Sequence, residues 1–124
     1  MTSTQTIRAV IYGVIFWFVA AMVVHFLPTL FDRGIAQATL YAASIPISWA
    51  CTWVTSMMTG VPRSRILAPT VIATITATFL DGIAMTWTPA LYDGISPATQ
   101  FGAAWILWGV GWLLFFAYRA DVRG

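Results

Sequence analysis

Residues 66 to 88 read "ILAPTVIATITATFLDGIAMTWT", and this stretch decides the fold because Asp81 is its only charged residue. At about 1.5 Å of rise per residue, a helix of this length crosses a hydrocarbon layer of about 30 Å. A carboxylate inside that layer costs on the order of several kcal/mol unless it is paired or protonated. The stretch therefore predicts a membrane-spanning helix and raises the question of what Asp81 contacts.

The remainder of the chain is similarly apolar. Of the 124 residues, 60% are hydrophobic and 8% are charged, which is typical of an integral membrane protein. Short separators rich in Pro, Gly, Asp and Ser divide the apolar runs, so consecutive helices should be antiparallel. We predict an all-α fold, a single domain over residues 1–124 that forms a bundle of four transmembrane helices. The predicted helices cover residues 8–27, 35–59, 66–88 and 100–118.

The arginines indicate how the bundle is oriented. Cytoplasmic termini would place five of the six arginines inside and Arg33 alone outside, with Asp32 and Asp93 in the outer loops. An excess of arginine on the cytoplasmic side is the usual topology signal. The five inner residues are Arg8, Arg63, Arg65, Arg119 and Arg123. We therefore predict a multi-pass protein of the bacterial inner membrane with both termini cytoplasmic. Arginines at the ends of membrane helices contact lipid headgroups, and no nucleic-acid partner is predicted.

A group of polar residues is expected at the outer ends of the helices. Asp81 and His25 lie at matching depth, because each comes about 22 to 24 Å of rise after the inner end of its helix. They are candidates for a hydrogen-bonded pair across the bundle. The full candidate polar cluster is Asp81, His25, Gln37, Tyr41 and Gln100.

Helical spacing favours an inward position for Asp81 and argues against one for His25. The Asp81 face of the third helix carries small and hydroxyl-bearing residues, which allow close helix packing in membranes. These residues are Thr70, Thr74, Ala77, Thr78, Ala84, Met85 and Thr88, and the opposite face carries Ile72, Ile75, Phe79 and Ile83. On the first helix, Gly13 and Ala20 lie opposite His25, and a seam of small residues there would turn His25 outward. Asp81 is thus interpreted either as a structural acceptor for Thr, Tyr or Trp groups or as a site for a proton or cation.

The fourth helix carries an aromatic stripe at helical spacing, made of Phe101, Trp105, Trp108 and Trp112. Two interpretations stay open: a contact surface for a partner helix, a lipid, or an apolar quinone or pigment, and ordinary packed or lipid-facing aromatic residues. In the second helix, Pro46 removes a backbone donor and predicts a kink, with Ser44 and Ser48 available for the freed carbonyl groups.

No pattern indicates an enzyme or a metal site. The chain has one histidine and one cysteine, and Cys51 lies in an apolar run without a CxxC partner. Haem or zinc within one monomer would need more ligands than these. We therefore predict no catalytic residues, no metal and no obligatory cofactor.

The segment "LDGIAMTWTPALYDGISPATQFGAAWILWGVGWLL", residues 80–114, resembles a family of small bacterial membrane proteins catalogued as domain of unknown function 5367. The resemblance rests on Asp81, Pro89, Tyr92 and the start of the fourth helix at Phe101 and Gly102. It implies four helices and no known activity.

Two functions are expected from these observations. The first is a non-enzymatic accessory or structural protein, whose partners are membrane lipid and either other membrane subunits or its own copies. The second is a small proton-coupled carrier or ion-binding protein that uses Asp81.

Overall fold

The computed structural model describes residues 1–31 and 34–123, and in this part of the chain the all-helical prediction is confirmed. The α-helices are α1 (Ser3–Phe26), α2 (Ile35–Thr59), α3 (Leu67–Trp87) and α4 (Pro97–Arg123), with 3-10 turns at Pro28–Phe31, Arg63–Arg65 and Pro89–Leu91. Three helices are long and apolar enough to cross a membrane: α1, α3 and, over Thr99–Val122, α4. Asp32 and Arg33, which were predicted in an outer loop, lie outside the described residues.

Two helices are longer than predicted, and both begin earlier because capping residues lie in the polar sequence before the apolar runs. At the start of α1, Thr2 Oγ1 accepts from the Gln5 amide at 3.1 Å and Gln5 Oε1 accepts from the Thr2 amide at 3.0 Å. This reciprocal capping box satisfies two amides that a helix otherwise leaves unpaired. Before α4, Ser96 Oγ accepts from the Thr99 amide at 3.3 Å, and Pro97 occupies the first helical position, which it suits.

The helices pack mainly as two pairs, α1 with α3 and α2 with α4. Hydrogen bonds between helix ends show in which direction each helix runs relative to its neighbours. Gln5 at the start of α1 bonds Gly60 at the end of α2, and the amide of Leu67 at the start of α3 donates to Asp121 near the end of α4. Consecutive helices are therefore antiparallel, as predicted, while the closest neighbours run parallel. Around the bundle the order is α1, α3, α4, α2.

Small residues allow α1 and α3 to touch closely. The buried positions are Ala9, Tyr12, Gly13, Ala21 and Val24 on α1 and Pro69, Thr70, Ala73, Ala77 and Ala84 on α3. A Cβ at Gly13 would lie 2.6 Å from the Ala73 carbonyl oxygen and 2.9 Å from the Thr76 Cβ. His25, placed in the candidate polar cluster by depth, is exposed, which agrees with the alternative that the Gly13 and Ala20 seam turns it outward. The buried line of α3 is centred on Ala73 and Ala77, so Asp81 is half-buried at its edge and Thr78, expected inside, is exposed.

The buried face of α2 carries hydroxyl groups, namely those of Ser44, Ser48, Thr52, Thr55 and Thr59. Most of them donate to carbonyl groups of their own helix: Ser44 to Leu40 at 2.8 Å, Thr55 to Cys51 at 2.7 Å and Thr59 to Thr55 at 2.6 Å. The outward face carries large apolar residues instead, including Ile47, Trp49, Trp53 and Met57. The hydroxyl groups lower the mean hydropathy of α2. By length and composition, α1, α3 and α4 therefore qualify as membrane-spanning helices and α2 does not.

The structure around Pro46 differs from the expectation in how the two nearby serines are bonded. The helix continues through Pro46, whose side chain is exposed. The carbonyl that lacks a proline donor is that of Ala42, four residues earlier. Ser44 donates to Leu40 and Ser48 donates across the bundle to Gly109 at 3.3 Å, so neither serine bonds the freed carbonyl. The kink itself stays a prediction.

Gly13→Ala should lower the free energy of unfolding by about 1–3 kcal/mol, the usual cost of overpacking a close contact. The new Cβ meets the backbone of Ala73, which cannot rotate away. Gly82→Ala is the matched control, since its Cβ meets nothing within 4 Å and it gains helix propensity. Unfolding by SDS of the protein in mild detergent, followed by helical circular dichroism, measures both. A Gly13→Ala protein as stable as Gly82→Ala would contradict the close packing.

Candidate functional site

The connection between α3 and α4 folds back over the helix ends. The amide of Thr88 closes α3 by bonding the Ala84 carbonyl at 2.8 Å, and the turn Pro89–Leu91 then reverses the chain. Gly94, with φ of 66°, allows a turn that residues with a Cβ rarely adopt. Together these turns carry Tyr92 into the bundle, where its side chain is fully buried.

Tyr92 links α1 to α3 through its phenol group. The hydroxyl donates to Asp81 Oδ1 at 2.5 Å and accepts from Trp17 Nε1 at 3.1 Å. The order of donation is therefore Trp17 to Tyr92 to Asp81, and we call these three residues the polar relay. Because each group uses its natural donor or acceptor role, the half-buried carboxylate is satisfied without a cation.

The polar relay borders a largely apolar cluster. Tyr92 packs with the buried residues Ala21, Val24, Phe31 and Ala84. Trp17, Phe101 and Trp105 pack against this cluster from the edge. Surroundings of this kind strengthen a hydrogen bond and make an unpaired polar atom costly.

The surroundings also hold the Tyr92 phenol in its neutral form. Burial, followed by the adjacent Asp81 carboxylate, raises the pKa of Tyr92 well above its ordinary value of 10.0. A neutral phenol keeps its proton as the donor to Asp81. The Tyr92 phenol therefore keeps its donor proton across the physiological pH range.

His25 and Asp81 lie at the same end of the bundle, but the structure does not bond them to each other. His25 Nδ1 lies 3.1 Å from the carbonyl oxygen of Ala90. Since a carbonyl only accepts, Nδ1 carries the proton in this contact. The imidazole therefore anchors the same loop that carries Tyr92, and Asp81 takes its hydrogen bond from Tyr92.

The other three members of the candidate polar cluster are not brought to Asp81. Gln37 is half-buried on α2 and Gln100 is exposed on α4, and neither has a side-chain hydrogen bond to Asp81 within residues 1–31 and 34–123. Tyr41 contributes its backbone carbonyl, which accepts from Trp108 Nε1 at 3.0 Å. Within the cluster, only Asp81 belongs to the relay.

Sequence reasoning missed the two direct partners of this relay, Trp17 and Tyr92. In the sequence, Tyr92 contributes only to the resemblance of residues 80–114, and no spacing pattern points Trp17 toward it. One signal was available. Tyr92 follows Asp81 by eleven residues, and a turn that contains Pro89 lies between them. A connection this short can bring the phenol back beside the end of α3.

The aromatic stripe divides into two parts. Trp105 Nε1 donates to Ser44 Oγ at 2.8 Å, and the centroids of the Trp105 and Phe31 rings lie 5.5 Å apart. Phe101 packs at the edge of the apolar cluster. These two residues face the bundle rather than a partner. Trp108, 40% exposed, and Trp112, half-buried, continue to the outer surface with ring centroids 5.8 Å apart.

Within the described ranges, no three His, Cys, Asp or Glu residues come together in a group able to hold a metal ion. Comparison of the chain with models of protein families, with curated proteins and with solved structures found no match in any of the three. The inference of function therefore rests on the chain's own geometry.

Tyr92→Phe should destabilise the fold by about 1–3 kcal/mol, because it leaves Asp81 and the Trp17 indole without their partner. Asp81→Asn should cost less, since its amide oxygen still accepts from Tyr92. Unfolding in detergent by SDS measures the two variants and their double mutant. Equal losses for both single variants would argue against the direction of the relay.

The raised pKa of Tyr92 also predicts a pH dependence. Above pH of about 10 the unfolded chain loses the phenol proton while the folded chain retains it, so stability is full below that pH and declines as pH rises further. The stability difference between wild type and Tyr92→Phe should therefore shrink in strongly alkaline detergent solution. A difference that grows with pH would contradict the assignment.

Proposed function

We propose that this protein is a four-span, non-enzymatic protein of the bacterial inner membrane, with both termini cytoplasmic. It acts as an accessory or structural subunit that packs through α4 against another membrane protein or a second copy of itself. The resemblance of residues 80–114 to a four-helix family without known activity agrees with this proposal.

Two features support the topology. The start of α1 and the end of α4 lie at the same end of the bundle, which also holds Arg63 and Arg65, while Asp81 and Asp93 lie toward the other end. Concentration of arginine at one end is typical of the cytoplasmic side. The apolar outer face of α2 suits contact with lipid, although its inner face is lined with hydroxyls.

The observation that carries the packing role is a groove on the outer face of α4. It is a shallow, open groove of about 410 Å³, lined by Leu107, Trp108, Gly111, Trp112 and Phe115. A Cβ at Gly111 would meet nothing within 4 Å, so the floor of the groove is open. Membrane helices associate where a small residue lets a second backbone approach and large residues pack around it. We call this surface the α4 groove.

The proposal predicts that Gly111→Leu abolishes association while leaving the monomer folded. The leucine fills the α4 groove, whereas Gly82→Leu adds the same side chain at another open glycine, on α3. Gentle extraction from the native membrane, followed by mass spectrometry of co-migrating proteins, measures the complex. We expect the wild type and Gly82→Leu to retain a partner or second copy and Gly111→Leu to lose it. If Gly111→Leu retained its partner, or if the wild type were extracted as a lone monomer, the packing role of the α4 groove would be contradicted.

A second candidate function is proton-coupled transport or ion binding through Asp81. It is favoured by one observation: within residues 1–31 and 34–123 the Asp81 carboxylate has a hydrogen bond but no ion pair. Intramembrane carboxylates of this kind mark proton and ion pathways. Proton uptake by Asp81 would weaken its acceptor role toward Tyr92 and so change the loop above α3.

For this candidate, Asp81→Asn should abolish a pH-driven response while expression and helical content stay unchanged. Vesicles containing the purified protein and a pH-sensitive dye measure proton flux after an imposed pH step. Gln100→Glu serves as the control, because it alters charge at an exposed position outside the relay. Equal fluxes through wild type and Asp81→Asn would rule out Asp81 as the proton site.

A further inference from the structure

A second and larger cavity lies at the arginine-bearing end of the bundle, between α2, the turn Arg63–Arg65 and the last turns of α4. Its volume is about 620 Å³. The residues that line it are Trp49, Arg63, Ser64, Phe115, Phe116 and Arg119, together with Ala120. One end of the cavity is thus cationic, and the wall toward the middle of α4 is aromatic.

Arg63 is held firmly but is not fully satisfied. Its Nη2 donates to Thr52 Oγ1 at 3.0 Å, and its Cζ lies 4.0 Å from the centre of the Trp53 ring. Its Nε is buried and has no hydrogen-bond partner among the described residues. A fixed guanidinium with an unused buried donor is prepared to bind an oxyanion.

Within residues 1–31 and 34–123, no carboxylate pairs with the arginines of the cavity. Neither Arg63 nor Arg119 forms an ion pair within the described part of the chain. Of the described carboxylates, Asp121 alone lies at this end, and its Oδ1 accepts from the Leu67 amide at 3.3 Å. The arginine pair therefore keeps its positive charge available for a ligand.

From this geometry we propose that the cavity binds one anionic phospholipid, with its phosphate between Arg63 and Arg119 and an acyl chain along Trp49, Phe115 and Phe116. Basic pockets between membrane helices are the surfaces that acidic lipid headgroups recognise. The aromatic wall distinguishes a lipid from free phosphate, because inorganic phosphate has no apolar part to bury there. This site lies apart from the polar relay. It is also distinct from the α4 groove, with which it shares one lining residue, Phe115.

Native mass spectrometry of the full chain in detergent micelles tests the proposal with phosphatidylglycerol and phosphatidylcholine of identical acyl chains. We expect the wild type to retain one phosphatidylglycerol and little phosphatidylcholine. The double variant Arg63→Gln with Arg119→Gln should reduce phosphatidylglycerol retention about tenfold. Arg65→Gln is the control, because Arg65 lies in the same turn and is exposed outside the cavity.

Ala120→Trp provides a variant that keeps both arginines, since it fills the cavity from its wall. It should lose the lipid, whereas Ala104→Trp, at an exposed position of α4, should retain it. Equal retention of the two lipids by wild type would overturn the proposal. Equal losses in Arg65→Gln and in the double variant, or full displacement of the lipid by millimolar inorganic phosphate, would also overturn it.

Discussion

The contact between Gly13 and Ala73 sets the position of everything above it in the bundle. With no side chain at Gly13, the backbones of α1 and α3 approach so closely that an added Cβ would lie 2.6 Å from the Ala73 carbonyl oxygen. Because the two helices run in parallel, Trp17 follows one turn after Gly13 and Asp81 two turns after Ala73. This register places an indole donor and a carboxylate acceptor on either side of a gap that the Tyr92 phenol fills.

The two ends of the bundle handle polar groups in different ways. At the Asp81 end, the polar relay joins two helices and a loop, and its groups satisfy one another. At the opposite end, Arg63 is fixed by Thr52 and Trp53 but retains donors, and Arg119 is exposed. The first arrangement holds the fold together, and the second leaves charge for contact with the surroundings. This contrast agrees with a structural role for Asp81 and with the lipid site proposed at the opposite end.

The sequence predicted helix boundaries best where neighbouring residues mark them directly. Glycines flank α2 at positions 34 and 60, and the predicted range 35–59 agrees with the structure at both ends. The starts of α1 and α4 were missed because the caps Thr2 and Ser96 lie in polar sequence, where hydropathy carries no information. The candidate site was predicted in part: the inward edge position of Asp81 follows from helical spacing. Its partner depends on how a loop returns, which periodicity does not describe.

The hydroxyl-lined face of α2 has a consequence for biosynthesis. Thr52, Thr55 and Thr59 each donate to a carbonyl of their own helix, so these bonds can form as soon as the helix does. On the four-span topology proposed here, α2 would leave the translocon with these hydroxyl groups already paired. Its entry into lipid would then not need to wait for α4, the helix against which it finally packs.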